Sequence, residues 1–138
     1  YLYNTYTAKK EGVSSTGNAV RSSFTGLPSV GLSNLYIEAV SRSDVLCIEE
    51  IFKAVDTCLY VTEAMGVHTA NPISGEFSVG VSGLLIEKGE IAFPVKEAVI
   101  SGNILSFFEN IEAVGDDLVF FGNVGSPSLL FGPTDISA

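Results

Sequence analysis

Residues 76–100 read EFSVGVSGLLIEKGEIAFPVKEAVI, and this stretch decides the fold class. Phe77, Val79 and Val81 alternate with Glu76, Ser78, Gly80 and Ser82, the period of two that marks a strand with one buried face. The phase blurs at Gly83 and runs into Leu84-Leu85-Ile86, which reads either as a bulge or as a segment buried on both faces. Lys88-Gly89 supplies a turn and Ile91-Ala92-Phe93 returns, so the prediction is an antiparallel hairpin. Pro94 has no N–H to give to a ladder, which marks either a sheet edge or the end of pairing.

Outward from the hairpin, short helices and strands alternate. Asn103 is a good N-cap for a short helix, with Ile104, Phe107, Phe108 and Ile111 at i, i+3, i+4 and i+7 and Gly115 closing the region. Leu118 to Phe121 and Ser128 to Phe131 read as two strands around a Gly122-Asn123-Val124-Gly125 turn. Upstream, Leu59-Tyr60-Val61-Thr62 is a β-prone run. Before it, Val45, Ile48, Phe52 and Val55 share a helical face, and Glu49 sits four residues ahead of Lys53. The start of that helix is open. Ser43 or Asp44 would make a good cap, whereas a start at Cys47 puts Glu50 in the capping-box position behind a poor one. Leu32 to Val40 alternates as a strand, residues 4–11 predict a short helix stopped by Gly12, and residues 14–23 and 26–31 read as loops. The expectation is an α+β domain over residues 1–138, mostly antiparallel β-sheet with two or three short helices.

Composition agrees with one hydrophobic core. The 138 residues are 46% hydrophobic and 17% charged, with a mean hydropathy of +0.38, which excludes intrinsic disorder. Sixteen Asp and Glu oppose seven Lys and Arg, for a formal net charge of −9. Lys9-Lys10 is the only adjacent basic pair, so direct nucleic-acid binding, which draws its affinity from clustered cations, is not expected. No apolar run is long enough to span a membrane, and no secretory signal pattern is present. Cys47 and Cys58 form no CxxC pair and read as free thiols in a reducing cytoplasm. The chain opens at Tyr1 within sequence that already reads as structured, so a piece of a longer protein is expected.

The residues supply no complete active site. His68 is the only histidine, and a catalytic zinc normally takes three protein ligands. No GxSxG elbow, phosphate-binding glycine loop or calcium-loop pattern occurs. Glu49-Glu50 suit the first turn of a helix, and Asp116-Asp117 suit the ordering of a turn.

Several strings nevertheless resemble one family in order and spacing. They are Ser15-Thr16-Gly17-Asn18-Ala19, Tyr60-Val61-Thr62-Glu63 with Met65-Gly66, and Ser74-Gly75-Glu76-Phe77-Ser78. Gly83, Ile86-Glu87-Lys88-Gly89-Glu90-Ile91, Pro94-Val95, Ile100-Ser101-Gly102-Asn103, Asn110-Ile111 and Val114-Gly115-Asp116-Asp117-Leu118 continue the series. Together they resemble the TldD/PmbA proteins, also called modulators of DNA gyrase, from about Tyr6 to the C-terminus. The resemblance implies the C-terminal part of a longer protein and an α+β, largely antiparallel fold. It also implies a cytosolic metallopeptidase built from paired subunits that degrades or matures unfolded peptides. In the TldD branch it implies a zinc-binding HExxxH helix upstream and a cysteine ligand near the C-terminus; the PmbA (TldE) branch is the non-catalytic partner.

Thr62 to Gly66 and Gly75 to Gly80 resemble the PmbA side, and Leu118 to Leu130 holds no cysteine. The expected function is therefore a non-catalytic subunit beside a TldD-like catalytic subunit, or in a homodimer, with no cofactor in this chain and zinc in the catalytic partner. The alternatives are a TldD-type peptidase whose zinc motif lies upstream, and a protein-binding modulator of gyrase. The loops Thr16 to Arg21 and Val67 to Pro72 are expected to border the peptide path, with Asn18, Arg21, His68, Asn71, Glu76 and Ser78 as candidate residues. The hairpin at 76–100 is expected to offer an edge or wall for strand addition by an extended peptide.

Overall fold

The computed structural model describes residues 2–137. Its elements are three short α-helices and twelve strands, mostly in antiparallel sheets, which makes the domain α+β. The chain divides into two compact units, residues 1–37 with 119–126, and residues 38–118 with 127–138.

The larger unit is organised by the hairpin. Strands β5 (Thr57–Met65), β6 (Glu76–Glu87), β7 (Glu90–Asn103) and β12 (Ile136–Ser137) form one antiparallel sheet in the order β12-β7-β6-β5. Lys88 and Gly89 make the turn with φ of 51° and 83°, the left-handed geometry that tight hairpins require. The blurred phase at Gly83 is a bulge. The β6–β7 register shifts between Val81 and Gly83, and the β5–β6 register shifts at the same level, between Val61 and Glu63. Gly83 is obligatory there, because a Cβ would overlap the Tyr60 carbonyl oxygen. Opposite the shift, Glu97 takes a left-handed φ of 61°.

Pro94 does not end pairing. It lies opposite Leu84, and β7 continues to Asn103. The sheet accommodates it because, among the described residues, β12 pairs with Val99 and Ile100 and not with Pro94, which lies on a locally free edge.

A second sheet of this unit joins β11 (Leu129–Phe131), β8 (Ile111–Gly115) and β4 (Val45–Leu46). Helix α2 (Ile48–Ala54) begins later than the Val45 periodicity predicts, since Val45 and Leu46 pair in parallel with Val114 and Gly115. Once the sheet takes Val45, the poor cap prevails: Cys47 is the N-cap, and its N–H donates to the Glu50 carboxylate at 3.0 Å. Ser41, not Ser43 or Asp44, takes the capping role upstream, at a 3-10 turn over Arg42–Asp44. Helix α3 (Ile104–Glu109) is capped by Asn103 as predicted, but it is too short to include Ile111, which opens β8. Of its apolar residues Phe107 is the one held by aromatic partners, edge-on to Phe77 at 5.4 Å and stacked on Phe131 at 3.9 Å. Ile51, Val81, Ile86, Ala98 and Ala113 form the buried core of the unit.

The smaller unit contains α1 (Thr5–Glu11), held between the Asn4 N-cap and a left-handed Gly12, with Ala8 buried. Strands β1 (Ala19–Val20) and β2 (Ser29–Val30) pair antiparallel inside the predicted loops. The expected strand over Leu32 to Val40 reduces to β3 (Leu35–Tyr36), because its partner offers only Val124 and Gly125. That partner, β10 (Val124–Ser126), also pairs with β9 (Val119–Phe121). The predicted four-residue turn is thus a two-residue one, Gly122-Asn123, with Gly122 at φ 66°. Val124 and Gly125 are strand residues, and β11 belongs to a different sheet from β9 and β10.

Candidate functional site

The strongest polar constellation surrounds the turn between β5 and β6. Gly66, in a left-handed conformation, starts a 3-10 turn over Val67–Thr69, and Thr69 Oγ1 donates to the Gly66 carbonyl at 2.7 Å. Asn71 then folds the chain back. Its Oδ1 accepts from the N–H groups of Ile73 (2.9 Å) and Ser74 (3.2 Å), and its own N–H donates to the Glu76 carbonyl at 2.8 Å. The hydroxyl of Ser74 donates to Glu76 Oε2 at 3.2 Å. Asn103 locks this turn to helix α3: its Nδ2 donates to the Ser74 carbonyl at 2.7 Å while its Oδ1 accepts from Leu105 N–H at 3.0 Å. Gly75, at φ 78°, lies so close that a Cβ would crowd the Asn103 amide and Ile104.

Four of the six sequence candidates therefore fall in one local cluster. His68 stands on the 3-10 turn, Asn71 and Glu76 are joined through the turn, and Ser78 follows on β6 opposite Ser101; all four are exposed. The Asn71 amide oxygen is already engaged by two backbone donors, so its role here is to shape the turn. Asn18 and Arg21 belong to the smaller unit. Asn18, half-buried, accepts from Gly31 N–H at 3.0 Å through its carbonyl, and Arg21 is exposed just after β1. Sequence reasoning saw Asn103 as a cap and missed its hold on Ser74.

The hairpin expected to offer a pairing edge does so only in part. Strand β6 is flanked on both sides, and the free stretch of β7 carries Pro94 and the strained Glu97. The continuous free edge of this sheet is β5, nine residues with Glu63 as their one charge. No local sequence signal marks it, because edge status depends on the order of strands in the sheet.

Among the described residues no group of three or more His, Cys, Asp and Glu could hold a metal ion. Both thiols are shifted toward the protonated form. Cys47 is drawn down by the Glu50 backbone N–H, but desolvation and the carboxylates of Glu49 and Glu50 leave it above its ordinary value. Burial pushes Cys58 up. Two carboxylates move the other way. Glu49 is lowered by its own backbone N–H, then by Cys47 and the charge of Lys53, and Asp117 is lowered chiefly by the Ser128 hydroxyl. No second carboxyl group is among the causes of either shift.

The fold and this cluster define an α+β domain of two compact units whose polar residues order turns. A family model described as the PmbA/TldA metallopeptidase C-terminal domain matches residues 1–138. The chain belongs to that family. It is 35% identical over 130 residues to the metalloprotease PmbA of Escherichia coli O157:H7, covering 94% of this chain and 26% of the relative. Its fold matches a Thermotoga maritima protein named for modulation of DNA gyrase, with a TM-score of 0.79, 37% identity, and coverage of 99% of this chain and 30% of that one. It also matches TldE from Thermococcus kodakarensis, with a TM-score of 0.82, 27% identity, and coverage of 100% of this chain and 31% of that one. The chain thus spans between a quarter and a third of the length of these relatives. The name metalloprotease implies a metal, and the described residues contain no donor set that fits one.

Proposed function

We propose that this domain is the C-terminal part of a non-catalytic subunit in a TldD/TldE-type metallopeptidase complex that degrades or matures unfolded peptides in the cytoplasm. The observation that carries the reading is the combination of a TldE-like fold with a polar cluster spent on turn geometry and no metal-holding group among the described residues. In this reading zinc is held by a TldD-like partner, and this chain supplies a wall of the peptide path. Two unpaired thiols accord with a reducing compartment.

The wall works through main-chain pairing. An extended peptide adds to the free edge of β5, where backbone hydrogen bonds give affinity without demanding a particular sequence. The exposed loop bearing His68 lies directly beyond the C-terminal end of that strand and borders the path. Asn18 and Arg21 are retained as candidate peptide-path residues of the smaller unit by itself.

The test is reconstitution. The protein at its full natural length, a TldD-type partner, and the two mixed are assayed on an unstructured peptide. The expected result is hydrolysis only in the mixture. Hydrolysis by this protein alone would instead indicate a catalytic TldD-type chain. Co-purification with gyrase at physiological salt, without the peptidase partner, would favour a gyrase-binding role.

A further inference from the structure

The chain leaves the larger unit after Leu118, forms the β9–β10 hairpin in the smaller one, and returns at Pro127. Asp117 and Ser128 stand at these two crossings. Ser128 N–H donates to Asp117 Oδ1 at 2.8 Å, and Ser128 Oγ donates to Asp117 Oδ2 at 2.6 Å. The carbonyl of Ser128 also accepts from Gly115 N–H at 2.7 Å, where the β8–β11 ladder ends. Ser128 is therefore shared by two partners, Gly115 at the end of β8 through the main chain and Asp117 just beyond it through its carboxylate.

Three observations make this more than an incidental surface contact. Both carboxylate oxygens are used, by a main-chain and a side-chain donor of the same residue, a two-point attachment that fixes orientation as well as distance. Gly115 is buried, and a Cβ there would overlap Asp117 Oδ1 and crowd the Ser128 carbonyl, so the backbone leaves room for this arrangement. Asp116 is held separately, its N–H donating to the Leu46 carbonyl at 3.1 Å, which anchors the outgoing strand to β4 just before Asp117.

We propose that Asp117 and Ser128 form a clasp across the outgoing and returning strands, and that the clasp holds the Val119–Ser126 hairpin in its ordered state. The hairpin has two three-residue strands, and β10 pairs onward with only the two residues of β3, so closing its base removes chain freedom that opposes it. The clasp is independent of which subunit class the protein belongs to.

Amide hydrogen exchange on the protein at full natural length tests it. Asp117→Ala is expected to accelerate exchange within residues 119–126 about tenfold, with β6 and β7 unchanged, consistent with loss of hydrogen bonds to a charged group near the surface. Ser128→Ala keeps its N–H bond to Oδ1 and is expected to show a smaller increase, about twofold, in the same segment. It also carries the test if Asp117→Ala fails to fold. Unchanged hairpin exchange in a folded variant would overturn the proposal. So would acceleration by the same factor throughout β6 and β7, which would make the pair a general stabiliser and not a clasp.

Discussion

Asn103 serves two elements with one side chain. Its oxygen caps α3, and its amide nitrogen holds the carbonyl of Ser74 across 29 residues of sequence. Removing a cap of this kind costs about 1 kcal/mol, and an amide hydrogen bond of this kind about 1 kcal/mol more. Asn103→Ala is therefore expected to lower unfolding free energy by about 2 kcal/mol in urea titration; a loss below about 0.5 kcal/mol would contradict both roles. The two halves of this side chain differ in legibility. A cap reaches two residues along the chain and shows as an Asn before an apolar run, whereas the contact with Ser74 exists only after β6 and β7 have paired. The same limit applies to Asn71. As an exposed loop amide it reads as a binding group, yet its oxygen is committed to Ile73 and Ser74. Cys47 illustrates the converse. Its weakness as a cap is a true local signal, overridden because the sheet claims Val45 and Leu46 and the Glu50 carboxylate accepts from the Cys47 N–H in a capping box.

At the scale of elements, the sheet of the hairpin owes its shape to the paired register shifts at Gly83. Bulges at one level across three strands increase local twist, and the position tolerates no side chain because the Tyr60 carbonyl occupies its place. Gly83→Ala is expected to cost about 2 kcal/mol, the cost of overpacking, whereas Gly80→Ala, where a Cβ meets nothing within 4 Å, should be nearly neutral. Paired thermal melts of the two variants check this, and equal melting temperatures would contradict it. The hairpin itself is written in the alternation of residues 76–82, and even the bulge shows as a loss of phase at Gly83. The failures have a common cause. Val45 and Leu35 take their strand conformation from two-residue pairings with partners dozens of residues away, and so short a pairing leaves no period of its own. Helical spacing likewise runs through Ile111, but α3 stops at Glu109 and Ile111 pairs with Phe131. The free edge of β5, on which peptide addition is proposed, was not legible for the same reason: it is a property of strand order, not of the strand.

At the scale of the molecule, the 138 residues carry a formal net charge of −9, with Lys9-Lys10 as the only adjacent basic pair in the given sequence. No helix among the described residues is long and apolar enough to cross a membrane. The chain belongs to the PmbA/TldA metallopeptidase C-terminal domain family, and among the described residues no group of three or more His, Cys, Asp and Glu could hold a metal ion. The proposed function places the metal in a partner and gives this chain a shaping role, so metal content tests it. The direct measurement is zinc per chain in the protein at full natural length, purified without its partner and dialysed against metal-free buffer. The account predicts far less than one zinc per chain and no peptide hydrolysis; one tightly held zinc per chain with peptidase activity would contradict it.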